Sequence, residues 1–82
     1  MGGRKGKPVE AFGQVLQELR ALKGMTQEAL AHEVGTERSH ISALERAEKG
    51  PSLGTILKLA RALDISASEM VSMVEAKLEK KR

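Results

Sequence analysis

The sequence predicts an all-α protein in which five short helices pack around one core. Three observations support this prediction. Apolar residues recur at spacings of three and four along most of the chain, which is the period of a helix with one buried face. Residue types that begin and end helices lie between these segments. With 82 residues the chain suits a single domain, and no stretch alternates apolar and polar residues as a strand would.

The first predicted helix extends from Val9 to Lys23. Its apolar face contains the only aromatic residue of the chain and four aliphatic residues, namely Phe12, Val15, Leu16, Leu19 and Leu22. A basic last turn followed by Gly24 indicates where this helix ends. The preceding residues, 1–8, include three glycines, one proline and three basic side chains. We therefore expect a flexible basic arm over residues 1–8.

The second and third predicted helices lie on either side of Gly35. Thr26 and Thr36 are each placed to cap one of these helices. The inward-facing residues are expected to be Leu30, Val34, Ile41 and Leu44. Glycine adopts the left-handed conformation without a side-chain clash, so Gly35 can end one helix and turn the chain sharply into the next. Two helices joined in this way at a steep angle form a helix-turn-helix.

The fourth and fifth predicted helices follow a loop that contains the helix-breaking residues Gly50 and Pro51. Ser52 is placed to cap the fourth helix. Its inward-facing residues are expected to be Ile56, Leu57, Leu59, Ala60 and Leu63. The stretch SASE, in which Ser66 precedes Glu69 by three residues, is the capping-box pattern and predicts the start of the fifth helix.

The fifth helix is expected to extend beyond the domain core. Met70 and Val71 can close the core, and an apolar stripe continues for another turn or two. Because an exposed apolar stripe indicates a partner surface, we expect a two-fold homodimer. The predicted dimer interface contains Met70, Met73, Val74 and Leu78. The alternative is a longer helix in a purely intramolecular core. On this organisation residues 9–78 form the domain and residues 79–82 a basic tail.

Composition excludes several classes of function. The absence of cysteine excludes disulfides, thiol chemistry and cysteine-based zinc sites. The single aromatic residue argues against binding of single strands by stacking of bases on aromatic side chains. No apolar run approaches the roughly 20 residues of a membrane span. The basic start lacks the apolar segment of a signal peptide, so we expect a cytoplasmic protein without membrane contact.

The net charge of +3 is distributed unevenly along the chain. Residues 1–8 contain three basic side chains and no acidic one, and residues 77–82 contain four basic side chains and one acidic one. These two ends therefore carry +6, which leaves −3 for residues 9–76. The basic isoelectric point is thus weak support for a nucleic-acid surface, and such a surface would depend on local placement of charge.

The stretch TQEALAHEVGTERSHISALERAEKGPSLGTILKLARALDIS, residues 26–66, resembles the Cro/phage-repressor (Xre-type) helix-turn-helix family. The matching positions are Gln27, Glu28, Leu30, Ala31, Val34, Gly35, Ile41, Leu44 and Glu45, followed by the segment GPSLGTILKLARAL. The resemblance implies a five-helix, lambda-repressor-like DNA-binding domain. It also implies a transcriptional regulator, expected to be a repressor, that binds a palindromic operator in double-stranded DNA as a homodimer.

By this resemblance the third helix enters the major groove of DNA with its N-terminal end first. Since Ile41 and Leu44 face the core, the opposite face is expected to contact bases. The predicted base contacts are Glu37, Arg38, Ser39, Ser42 and Ala43. Arg38 can make a bidentate contact with guanine, the two serines can bond to base edges, and Ala43 can pack on a thymine methyl. Glu37 repels phosphates but can accept from cytosine.

Phosphate contacts are predicted near the start of the second helix, beside the third helix and in the loop after it. The residues are Thr26, Gln27, His40, Arg46 and Lys49. In this family a glutamine at the start of the second helix commonly contacts phosphate, which supports Gln27. Lys58 and Arg61, on the fourth helix, are expected to form a solvated face.

Two of these assignments have specific alternatives. Arg38 could instead pair with Glu37 or Glu45 on the protein surface. Arg46 could instead pair with Glu45 or Glu48, which would reduce its availability for phosphate.

Other chemistries find little support in the sequence. His32 and His40 lie on either side of the predicted turn, and their spacing does not match the HExxH zinc motif. Ser39 has no placed acid and no oxyanion loop, so we expect no enzymatic activity. We also expect no cofactor, no metal ion and no small-molecule ligand. A helix-turn-helix scaffold that binds proteins, such as an antitoxin or a coactivator, is the main alternative.

Overall fold

The computed structural model describes residues 7–80, with the exception of the Lys80 side chain, and contains five α-helices. They are α1 (Lys7–Leu22), α2 (Gln27–Val34), α3 (Arg38–Glu45), α4 (Leu53–Ala62) and α5 (Ala67–Lys80). No strand occurs in this part of the chain. The predicted all-α, five-helix fold is therefore confirmed.

The first helix begins at Lys7, two residues before the predicted start at Val9. Pro8 is accommodated because the first residues of a helix need no partner for their N–H groups. Lys7 and Pro8 therefore belong to α1 and not to the expected arm. Residues 1–6 of that arm, and residues 81–82 of the predicted basic tail, lie outside the described residues.

Side-chain caps begin three of the helices, as the sequence predicts. The Ala29 amide donates to Thr26 Oγ1 over 3.0 Å. The Thr55 amide donates to Ser52 Oγ over 3.1 Å, and the Glu69 amide donates to Ser66 Oγ over 3.0 Å. Each bond satisfies one of the amide groups that a helix start leaves without a partner inside the helix.

The turn between α2 and α3 depends on Gly35, which has a φ of 84° and lies in the left-handed region. Its amide donates to the carbonyls of Ala31 and His32, and the Thr36 amide donates to the Ala31 carbonyl over 2.9 Å. These bonds form a Schellman motif, which ends a helix and redirects the chain. The role predicted for Gly35 is confirmed.

The prediction that Thr36 caps the third helix is wrong. The Thr36 amide closes the end of α2, so α3 begins one residue later, with Glu37 in the capping position and no side-chain capping bond. The Thr36 hydroxyl instead lies 3.0 Å from His40 Nδ1. Thr36 thus belongs to the turn and restrains a side chain of the next helix.

The core is aliphatic apart from Phe12. It contains residues from all five helices and the residue that follows α4, namely Phe12, Val15, Leu16, Leu19, Leu30, Ala31, Ile41, Leu44, Leu59, Ala60, Leu63 and Met70. The predicted inward faces of α2 and α3 are confirmed, although Val34 is only partly buried. Removing apolar surface from water contributes about 25 cal/mol per Å² to the free energy of folding, so burial of this cluster is the main stabilisation of the fold.

Three residues that were expected in the core are exposed. Leu22 is 80% exposed because it occupies the end of α1, where the chain turns away from the core. Leu57 is 53% exposed because it lies about 160° around α4 from the buried Leu59. Val71 is 41% exposed because its buried neighbour Met70 takes the inward position on α5.

The backbones of α1 and α3 come into direct contact at Gly13. A Cβ atom added to Gly13 would lie 2.6 Å from the carbonyl oxygen of Glu45 and 2.7 Å from that of Leu44. No side chain fits between these atoms, so only glycine allows α1 to rest on the last turn of α3. The position of α3 relative to the core therefore depends on this residue.

We expect Gly13→Ala to destabilise the fold by about 2 kcal/mol or more, because the added methyl overpacks a contact between two backbones. Gly54→Ala is the matched control. Its Cβ would meet only Ser52 Oγ at 3.8 Å, within a helix, so we expect a gain of about 0.5–1 kcal/mol. Urea unfolding of both variants measures the difference, and equal effects of the two substitutions would contradict the close contact at Gly13.

Candidate nucleic-acid interface

The third helix presents a polar face to solvent because its apolar face is anchored in the core. Ile41 and Leu44 are almost completely buried. The predicted base-contacting residues lie on the other side: Glu37, Arg38 and Ser39 are exposed, and Ser42 and Ala43 are half-buried. The structure therefore brings all five predicted base contacts together at the outward face and N-terminal end of α3.

A shallow open groove of about 600 Å³ lies beside this face. It is lined by the α2–α3 turn, by α3 and by the loop after α3, through Gly35, Thr36, Glu37, Ser39, His40, Ala43, Glu48 and Lys49. His40 is half-buried and Lys49 is exposed. Two predicted phosphate contacts, His40 and Lys49, thus share a surface with the predicted base contacts, as do the carboxylates Glu37 and Glu48.

The remaining predicted phosphate contacts are engaged in bonds within the protein. Thr26 accepts the capping bond, although its hydroxyl proton stays available for donation. Arg46 lies 3.1 Å from Glu48, and both side chains are more than half exposed. This is one of the pairs that the sequence left open. An exposed pair of this kind contributes little to stability, but it offsets the positive charge of the loop.

A chain of hydrogen bonds connects α1, through the last residue of α3 and the first residue of α2, to the N-terminal end of α3. Arg20 donates through Nε to Glu45 Oε2 over 2.7 Å and through Nη2 to Glu45 Oε1 over 3.2 Å. Gln27 Nε2 donates to Glu45 Oε1 over 2.9 Å. Arg38 Nη1 donates to Gln27 Oε1 over 3.2 Å. Arg38 therefore contacts Gln27 and not Glu37 or Glu45, the two partners that the sequence suggested.

The bridge between Arg20 and Glu45 is largely removed from solvent, with side chains 16% and 4% exposed. The hydrogen bond to Glu45 raises the pKa of Arg20 above its ordinary value, against the opposing effect of burial. The sequence does not reveal this pair because its partners are 25 positions apart. The available signal was weak: each charged residue follows a core leucine, Leu19 or Leu44.

The residues predicted for a dimer interface differ in their accessibility. Met70 is completely buried within one chain, so its assignment to a dimer interface is wrong. The side chain of Met70 belongs to the core cluster and has no accessible surface left for a partner. Met73, Val74 and Leu78 are half-buried. The large apolar residues most exposed on α4 and α5 are instead Leu53, Leu57 and Val71.

Within residues 7–80 no three His, Cys, Asp or Glu side chains lie close enough together to hold a metal ion. None of the helices in this range has the length and apolar character needed to cross a membrane.

Comparison with known proteins places the chain among transcriptional regulators. A family model described as Helix-turn-helix matches residues 16–70. The solved structure of the restriction-modification controller protein C.AhdI from Aeromonas hydrophila is 48% identical, with a TM-score of 0.73, over 76% of this chain and 94% of that one.

Two further relatives are similar to this chain over most of its length. The control protein C.BamHI of Bacillus amyloliquefaciens is 36% identical over 61 residues, which are 73% of this chain and 75% of that protein. The phage CTXphi transcriptional repressor RstR of Vibrio cholerae is 29% identical over 70 residues, which are 85% of this chain and 63% of that protein.

Fold and comparisons together define a transcriptional regulator with a helix-turn-helix DNA-binding fold. The chain belongs to the Cro/phage-repressor (Xre-type) helix-turn-helix family, as the resemblance of residues 26–66 predicted.

We expect Arg20→Met to destabilise the protein by about 3 kcal/mol, because the substitution leaves the buried carboxylate of Glu45 without its charged partner. Lys23→Met is the control, since Lys23 and Asp64 are 3.9 Å apart and exposed and should contribute less than about 1 kcal/mol. Chemical unfolding of the two variants provides the comparison. A similar small loss in both would mean that the Arg20–Glu45 bridge contributes no more than a surface pair.

Proposed function

We propose that the protein is a sequence-specific repressor that inserts α3 into the major groove of a palindromic operator and binds it as a homodimer. The observation that carries this proposal is the arrangement of α3. Its buried Ile41 and Leu44 anchor an exposed N-terminal end that bears Arg38 and Ser39. Repression follows from occupation of a site that overlaps a promoter. Repression of this kind requires no catalysis and no cofactor. We assign the protein to the cytoplasm.

Each residue on this face has a defined chemical role in the proposed complex. Arg38 donates to O6 and N7 of guanine, and Ser39 and Ser42 bond to base edges. Ala43 offers a methyl contact to thymine, and Glu37 accepts from cytosine N4. Because Arg38 is the only long cationic side chain in α3, we assign to it the largest share of base discrimination.

Phosphate contacts in the proposed complex come from few groups, since residues 9–76 carry a net charge of −3. The Thr26 hydroxyl and the exposed amides at the start of α2 can bind one phosphate, because the N-terminal end of a helix attracts anions. His40 and Lys49 lie in the groove beside α3, and Arg46 can exchange Glu48 for phosphate. Because a homodimer doubles these contacts, its affinity for DNA should still fall steeply as ionic strength rises.

The dimer in this proposal is formed through α4 and α5. Leu53 and Leu57 are one helical turn apart on α4 and are 72% and 53% exposed, and Val71 is exposed on the adjacent α5. Together with the half-buried Met73, Val74 and Leu78, these residues offer an apolar surface to a second copy. For both α3 helices to enter successive turns of the major groove, the two-fold axis of this dimer must place them about 34 Å apart.

A protein-binding scaffold is the second candidate, and the acidic net charge of residues 9–76 favours it. The dependence of binding affinity on salt concentration distinguishes the two functions. Affinity for a DNA duplex falls steeply as ionic strength rises, whereas affinity at a protein interface with few charges does not.

Selection of bound sequences from a random duplex pool is the direct test of DNA recognition. A palindromic consensus with a guanine in each half-site is the expected result. Recovery of no sequence preference at low salt would contradict the proposal.

Arg38→Ala should weaken binding to the selected operator by roughly 5- to 100-fold while binding to random duplex changes little, because a bidentate arginine–guanine contact discriminates by about 1–3 kcal/mol. Lys58→Ala, which removes an exposed cation from α4 about 100° around the helix from Leu57, should leave both affinities unchanged. Fluorescence anisotropy with the two duplexes measures the ratio. An equal loss on both duplexes would identify Arg38 as a phosphate contact.

Leu53→Glu combined with Leu57→Glu should convert the dimer into a folded monomer, because both side chains are largely exposed in one chain and the added carboxylates would have to be buried in the proposed interface. Leu22→Glu is the control: it adds a charge at the most exposed large apolar residue in the described chain and should leave the dimer intact. Sedimentation velocity distinguishes the species. A dimer that persists in the double variant would place the interface elsewhere.

A further inference from the structure

We propose that Glu45 is a positioning residue for Arg38, acting through the side-chain amide of Gln27, and that the preference for guanine therefore depends on a buried carboxylate that does not contact DNA. The inference rests on the proposed function, in which Arg38 contacts a base. It assigns to Glu45 and Gln27 a role in specificity in addition to the stabilising bridge with Arg20.

Glu45 is held rigidly from two sides. Its carboxylate receives two donors from Arg20 and its side chain is only 4% exposed. Its backbone carbonyl lies against the backbone of α1 at Gly13. The oxygen Oε1 that accepts from Gln27 therefore has a defined position relative to the whole domain.

The carboxylate determines the orientation of the Gln27 amide. An ionised carboxylate only accepts hydrogen bonds, so the amide must direct Nε2 towards Glu45, where the distance is 2.9 Å. The amide oxygen then points to the other side, where it accepts from Arg38 Nη1 over 3.2 Å. In the opposite orientation, Gln27 would place an oxygen against Glu45 and a donor against Arg38. Both charged neighbours thus favour the same orientation.

This orientation adds a second role to the one expected for Gln27. The glutamine presents an acceptor towards the tip of α3, and an acceptor cannot bind a phosphate oxygen. Its NH₂ group donates one hydrogen to Glu45, and the second hydrogen remains available for a phosphate oxygen. We therefore assign the positioning of Arg38 to the Gln27 side chain in addition to the phosphate contact that the sequence predicts for it.

Arg38 gains a defined position before DNA arrives. A guanidinium group has five N–H donors, and the bond to Gln27 uses one of them. The remaining donors include the pair needed for a bidentate contact with guanine. Because a long side chain loses conformational entropy when it is immobilised, holding it in advance favours the specific complex.

The test compares base preferences, which a purely structural bridge would not alter at one position only. Selection from a random duplex pool is run with the full-length protein as wild type and as the variants Glu45→Gln, Arg38→Ala and the double variant. A glutamine at position 45 can donate as well as accept, so it no longer determines the orientation of the Gln27 amide. Glu18→Gln is the matched control, because Glu18 pairs with Lys77 on the surface.

We expect Glu45→Gln to lower the preference for the favoured base about fivefold or more at the positions where Arg38→Ala lowers it, and to leave the other positions unchanged. The double variant should resemble Arg38→Ala alone, and Glu18→Gln should resemble wild type. An unchanged preference in Glu45→Gln, an equal loss at all positions, or a double variant with additive losses would overturn the inference.

Gln27→Met provides a second measurement that does not disturb the Arg20–Glu45 bridge. It keeps the length of a half-buried side chain, removes the amide, and should produce the same position-specific loss even if Glu45→Gln fails to fold. Normal preference in Gln27→Met would overturn the inference by itself. The proposed function has a separate mode of failure, since it falls only if wild type selects no sequence or if Arg38→Ala changes no base preference.

Discussion

The backbone of α1 rests on the last turn of α3 at Gly13, and this contact determines where every group on the outward face of α3 lies. A helix of eight residues is not stable alone, so α3 takes its structure from its neighbours. The core holds one side of it through Ile41 and Leu44. The α1 backbone and the Arg20–Glu45 bridge hold its C-terminal end. As a result, the N-terminal end of α3 projects from a rigid support.

The turn at Gly35 complements this support because it sets the start of α2 beside the start of α3. A left-handed residue followed by the amide of Thr36 closes α2 within two residues, which leaves little freedom in the angle between the helices. Gln27, the first residue of α2, is consequently within hydrogen-bonding distance of Arg38, the first residue of α3. Packing of α1 on α3 and the tight turn therefore act together to bring polar side chains from three helices into one network.

The fold and the outward face of α3 could be predicted from the sequence, because helical period and caps are local properties. Thr26, Ser52 and Ser66 cap their helices as expected. The error at Thr36 arose because its amide is needed to close α2, which a capping pattern does not reveal. The errors at Leu57 and Met70 have another origin. An apolar residue at the margin of a helix face becomes core or surface according to where the neighbouring helix lies.

By itself the sequence determined that the chain forms five helices, that α2 and α3 meet in a turn at a glycine, and that Arg38, Ser39 and Ser42 share a face opposite the core. These properties follow from the spacing of residues a few positions apart. Only the tertiary structure decided that Arg20 pairs with Glu45 across 25 positions, that Glu45 orients Gln27, and that α4 exposes Leu53 and Leu57. Such contacts depend on how whole helices are placed in space, and that placement is set by the sum of all packing interactions.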